Sequence, residues 1–198
     1  MAISFFVLNG YGIFEDNNKK KSLGVVATYV LGETGNIGYS NYVGDDTPIA
    51  GDSVSHTRVF QNLFLNYQIK KLKIQIGADY ILQQNSNIAV KTMTASMYSG
   101  VLGFKYQLKE KFAFYARGEI FNDPQGFMSG VIIDNTNKYT GLELWGVTLG
   151  AEYKPTENSY VRLESRNLEM DPAQEIFRFD GENEDNRLEI LCNIGVSF

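Results

Sequence analysis

Along this chain, apolar and polar side chains alternate in stretches of roughly ten residues, and about ten such stretches can be marked out. From the turn at Thr34-Gly35 onward, the connections between them are alternately short and long. The last stretch shows the alternation most cleanly. Leu188, Ile190, Cys192, Ile194, Val196 and Phe198 fall on one face, and Arg187, Glu189, Leu191, Asn193, Gly195 and Ser197 on the other. Successive side chains of a strand point to opposite faces, so a period of two means one apolar and one mostly polar surface. The apolar face runs through to an aromatic residue in strand register with no polar tail behind it. This pattern predicts an all-β protein: an antiparallel transmembrane β-barrel of about ten up-and-down strands, with short periplasmic turns and long outer loops.

Taken in order, the chain predicts a first strand from Ile3 to Phe14, with Gly10 and Gly12 as strand glycines, and a polar turn over 15–21. Leu23, Val25, Ala27, Tyr29 and Leu31 share a face of the second strand, and Ile37 to Val43 form the third. A hairpin turns at Lys70-Lys71: Val59, Leu63, Leu65, Tyr67 and Ile69 precede it on one face, and Leu72, Ile74, Ile76, Ala78, Tyr80 and Leu82 follow. A second hairpin turns at Lys109-Glu110-Lys111, and a third at 154–158. Long loops are expected over 44–57, 84–94, 123–141 and 171–186. The chain reads as a single domain, 1–198.

Composition removes several alternatives. With 12 Tyr, 13 Phe, 19 Gly and only 4 Pro, strands and turns are favoured over helices. No apolar run approaches the roughly 18 residues that a spanning helix requires. The net charge of −5, without a basic patch, argues against nucleic acid as a partner. The single cysteine, Cys192, cannot form an internal disulfide and sits on an apolar face as a small hydrophobe. The segment before Val7 carries no Lys or Arg, so it is a poor signal peptide, and an export signal is absent from this chain.

The aromatic residues fall at two heights. Tyr67, Tyr106, Tyr153 and Phe198 lie on the apolar face beside the short turns, and Tyr80, Tyr98 and Trp145 lie toward the long loops. Two aromatic girdles around an aliphatic band suit the two membrane–water boundaries, which makes the lipid bilayer the expected partner of that face.

In-strand charge is confined to the other face. Arg58, Lys73, Lys105, Arg117, Arg162, Arg166 and Arg187 are basic there, and Asp79, Glu119, Glu152, Glu164 and Glu189 acidic. A Lys or Arg turned toward lipid at the bilayer midplane would cost about 2–4 kcal/mol, so their segregation supports a barrel with a polar lumen. Arg117, Glu119, Arg162, Glu164, Arg166, Arg187 and Glu189 are the candidates for a lumen constriction that filters solutes by charge. The alternative is that they pair across strands and fill a narrow interior.

Enzymatic chemistry finds little support. Glu164 and Glu189 are interleaved with arginines that favour ion pairing over acid–base work. His56, the only histidine, falls in a polar loop, where it makes neither a catalytic triad nor, with one Cys, a zinc site. The acidic segment Asp180-Gly-Glu-Asn-Glu-Asp-Asn186 lacks the spacing of an EF-hand and reads as a solvated outer loop, as do Asp45, Asp46 and Asp52. No catalytic residue, metal site or cofactor is expected.

Three segments carry a resemblance. Ala116-Arg-Gly-Glu-Ile-Phe-Asn-Asp-Pro-Gln-Gly-Phe127, the run from Leu149 to Arg166, and Asn193-Ile-Gly-Val-Ser-Phe198 resemble the OmpL-like β-barrel porin family of Bacteroidetes-type bacteria. The resemblance is strongest from Ala95 to the end. It implies a location in the outer membrane of a Gram-negative bacterium and a channel for passive diffusion of small polar solutes or ions. It also implies recognition of the strand ending at Phe198 by the outer-membrane assembly machinery. Family members are longer and carry a signal peptide, so the chain is expected to be the C-terminal portion of a larger barrel. The rival readings are a non-conducting structural or adhesion barrel and a soluble lipocalin-like ligand-binding barrel.

Overall fold

The structure is a computed structural model that describes residues 1–12, 18–45, 47 and 54–197. Its strands are β1 (Ala2–Leu8), β2 (Ser22–Val30), β3 (Gly35–Asp45), β4 (Thr57–Ile69), β5 (Leu72–Gln83), β6 (Ala95–Lys109), β7 (Phe112–Asn122), β8 (Ile132–Ile133), β9 (Tyr139–Thr140), β10 (Glu143–Tyr153), β11 (Ser159–Met170), β12 (Phe177–Phe179), β13 (Glu182–Glu184) and β14 (Asn186–Val196). Ten of them form one sheet in the order β1-β2-β3-β4-β5-β6-β7-β10-β11-β14, every neighbour antiparallel. The other four make two small hairpins, β8–β9 and β12–β13, inside the loops after β7 and β11. Among the described residues no helix is long and apolar enough to cross a membrane.

The expected strands, faces and turns are present. Between β4 and β5 the chain reverses in two residues, with Lys70 in the left-handed region at φ 52°. The loop over 84–94 and the turn at 110–111 also fall where the alternation lapses.

Four expectations need correction. The first strand stops at Leu8 rather than continuing to Phe14, because the chain turns at Gly12 with φ 67°, so Gly10 and Gly12 are not strand glycines. Phe14 itself lies outside the described residues, as do Asp46, Asp52 and Phe198. The loops after β7 and β11 carry the two small hairpins, the second turning at Asp180-Gly181 with φ 49° and 91°. Asp45 is not solvated: it is 8 % exposed. Finally, the sheet is not closed: β1 bonds only to β2 and β14 only to β11, and nearly every residue of these two strands is exposed.

The two faces differ as the alternation requires. Leu63, Ile76, Leu102, Phe114, Ile120, Val147, Leu149, Leu163, Ile190 and Ile194 are all exposed on the outer face. The inner face is curled. Lys105 on β6 reaches Glu152 on β10, Tyr115 on β7 reaches Glu164 on β11, and Arg166 on β11 reaches Glu119 on β7. Each contact passes over an intervening strand, and two strand spacings of about 4.8 Å can be bridged in this way when the face is concave. Small residues make the crossings possible. A side chain at Gly150 would collide with the Tyr115 ring, and one at Gly38 with the Phe64 ring on the next strand.

Apart from Ala113 beside the short turn before β7, the buried apolar residues sit on the inner face at the long-loop end. Tyr42, Phe60, Ile81 and Met97 form one cross-strand row from β3 to β6, and Tyr11 packs edge-on against Tyr42 and Phe60. The long loops are tied to each other over this end. Asn85 Nδ2 donates to the Ser55 carbonyl at 2.7 Å, the Ile88 amide to Gln125 at 2.8 Å, and the Asn135 amide to the Ala173 carbonyl at 2.9 Å.

Candidate functional site

The register places the polar inner residues in rows across the sheet. Asn36, Asn66, Gln75, Gly103, Arg117, Thr148, Arg166 and Glu189 are successive cross-strand partners from β3 to β14. The neighbouring row toward the short turns runs Gln68, Lys73, Lys105, Tyr115, Gly150, Glu164 and Leu191. These rows surround a hollow of about 560 Å³ that extends from the β2–β3 turn at Glu33-Thr34 to Arg162 and Glu164 on β11.

Of the candidate constriction residues, five form one chain of ion pairs. Arg166 is bonded to Glu119, with Nε at 2.8 Å, and lies 3.9 Å from Glu189. Arg187 meets the other side of Glu189 at 2.9 Å, and Arg117 Nε lies 3.6 Å from Glu119. Arg162 and Glu164 belong to a second group nearer the short turns. Glu152 receives Lys105 and Arg162, each at 2.7 Å, and Glu164 accepts a hydrogen bond from Tyr115 at 2.7 Å. Arg162 also lies over the Tyr160 ring, 4.3 Å from its centre. Glu164 and Glu189 are therefore held apart, each by its own partner, and do not form a carboxylate pair.

The centre of the second group is Glu152, only 2 % exposed. The alternation marks it as an inner-face acid, but nothing in its local sequence distinguishes it from Glu164. What sets it apart is Lys105, 47 residues earlier, and Ala113 beneath their contact, itself 1 % exposed.

On β3 to β6 the inner face is built mainly from amides and hydroxyls. Asp79 accepts from Asn62 at 2.7 Å and from Ser99 at 2.8 Å, and Asn66 donates to Asn36 at 3.3 Å. At the loop end of this wall, Asp45 gathers Lys20, Ser55 and Thr47, with the Thr47 hydroxyl at 2.6 Å. Burial pushes the Asp45 carboxyl up, but these hydrogen bonds outweigh it and hold the group well below the usual carboxylate range. His56 braces the same region, its Nδ1 3.2 Å from both the Gln84 carbonyl and the Ser86 hydroxyl.

On the outer face, the structure sets Tyr67, Tyr106 and Tyr153 beside the short turns, where Tyr153 stacks on Phe112 at 4.7 Å. Tyr80 and Tyr98 are direct cross-strand partners toward the long loops, with Trp145 nearby on β10. Cys192 is exposed on the free edge strand β14.

A scan against protein-family models matches the whole chain, residues 1–198, to the family described as putative beta-barrel porin-2, OmpL-like. The chain belongs to this porin family. The match extends well before Ala95, from which the resemblance of the sequence segments is strongest. No curated protein and no solved structure matches the chain. Membership agrees with an all-β antiparallel sheet whose polar residues face a hollow, and it implies an outer-membrane location.

Proposed function

We propose that this protein spans the outer membrane as a β-barrel and acts as a channel for passive diffusion of small polar solutes or ions. The observation that carries the reading is the division of the two faces. Exposed aliphatic and aromatic side chains cover the outer face, while charged and amide side chains line an inner hollow of about 560 Å³. A soluble lipocalin-like barrel would bury the apolar face and expose the polar one. In hydrocarbon, each unpaired backbone N–H or C=O costs several kcal/mol, so embedding requires that the free edges of β1 and β14 be paired. Outer aromatics at two heights suit the two membrane boundaries.

A second reading, a non-conducting structural barrel, draws on the apolar row Tyr42, Phe60, Ile81 and Met97, buried except for the half-buried Phe60, and on the interlocked loops above it. Planar-bilayer recording of the refolded chain separates the two. Discrete current steps above the detergent-only background support the channel. Protein that folds and inserts but carries no current supports the structural barrel.

A further inference from the structure

We infer that Lys73, Lys105 and Arg117 form a binding subsite for the carboxylate of a small organic anion, on the inner face near the short turns. The inference deepens the channel reading and rests on the inner face being a water-filled lumen. Lys73 and Lys105 are direct cross-strand partners on β5 and β6. Like charges placed opposite each other destabilise a sheet unless something of opposite sign lies between them. Glu152 draws Lys105 at 2.7 Å, but Lys73 has no hydrogen-bond or ion-pair partner among the described residues.

Arg117 supplies the second observation. It stands one row further from the short turns, on β7, where its Nη2 donates to Thr148 at 3.3 Å. Its Nε is buried and makes no hydrogen bond among the described residues, the Glu119 carboxylate standing 3.6 Å away, beyond hydrogen-bond length. A buried donor left unsatisfied in a charged group calls for an acceptor. Across the sheet from Arg117 is Gly103, over which only the flexible Gln75 amide from β5 reaches, so no charged side chain stands between the arginine and β5.

Charge decides the class of ligand. The hollow is lined by Lys73, Lys105, Arg117 and Arg162 against Glu33 and Glu164, and Tyr115 already donates to Glu164. The wall formed by β4 and β5 adds amides, Asn66, Gln68 and Gln75, and no carboxylate. Lys105 and Arg162 share Glu152, so Lys73 is the uncompensated cation of this amide-lined space, and an oxyanion bound to it can take further charged hydrogen bonds from Lys105 and Arg117.

The test is calorimetric titration of sodium succinate into the full chain refolded in detergent micelles at low ionic strength. Saturable binding is expected, weakened roughly tenfold in Lys73→Gln and unchanged in Lys91→Gln, a loop lysine outside the hollow. Because Lys73 has no partner to lose, Lys73→Gln should keep the wild-type melting temperature, and Arg117→Gln should weaken binding as well. Absence of saturable binding, or binding indifferent to Lys73→Gln, overturns the subsite. Bilayer conductance in potassium chloride is read on the same preparation. Current without succinate binding defeats the inference and leaves the channel intact, whereas binding without current supports the subsite and defeats the channel.

Discussion

The inner face has two walls of different chemistry. From β3 to β5 it is a wall of amides and hydroxyls, with Asp79 held between Asn62 and Ser99. From β7 to β14 it is a wall of alternating arginine and glutamate, tied by ion pairs within and between neighbouring strands and, from Arg166 to Glu119 and from Lys105 to Glu152, over an intervening strand. The amide wall makes short contacts between adjacent strands, so its curvature owes little to any single side chain. On the charged wall, Glu152 and Glu119 each gather cations from different strands, so single acids fix how β6, β7, β10 and β11 sit together. The difference teaches that the charged ties between strands are concentrated on one side of the inner face, with Lys73 standing where the walls meet.

The largest effect that would sharpen this contrast is Glu152→Gln. The substitution leaves Lys105 and Arg162 around a nearly buried neutral group. Removing one partner of such a cluster should cost about 3 kcal/mol, read as a lower urea midpoint in detergent or lipid vesicles. A loss no greater than that of a surface acid would break the comparison. The smallest effect belongs to the other wall. Asn66→Ala removes a solvent-exposed 3.3 Å hydrogen bond to Asn36 and should cost about 0.5 kcal/mol in the same assay. If Asn66→Ala proved as damaging as Glu152→Gln, the two walls would not differ in the way described.

Much of this architecture was legible in the sequence, because period-two alternation is a local property. The faces of β4, β5, β6 and β10, the turn at Lys70-Lys71 and the confinement of charge to one face all follow from neighbours in the chain. The features that escaped depend on residues far apart. Glu152 looks like any inner-face acid until Lys105 is folded over Ala113. Asp45 reads as a loop acid, yet Lys20 and Ser55 arrive from either side of it in sequence to bury it. The early end of β1 was signalled by Gly12, but a glycine inside an alternating run fits a strand as well as a turn until its φ of 67° is known. Whether the edges of β1 and β14 meet is a property of the whole sheet, and no local pattern encodes it. The partnerless lysine was equally hidden, since alternation shows that Lys73 faces inward but not that its cross-strand neighbour is Lys105.

The central claim is that the outer face lies against lipid, and Trp145 tests it most directly. It is the only tryptophan in the chain and stands 45 % exposed on the outer face of β10, toward the long loops. Its fluorescence should be measured after folding into vesicles, with and without brominated phospholipids. An outer face against lipid gives blue-shifted emission, strongly quenched by the brominated chains and shielded from aqueous iodide. Emission typical of water-exposed indole, quenched by iodide and indifferent to brominated lipid, would contradict it.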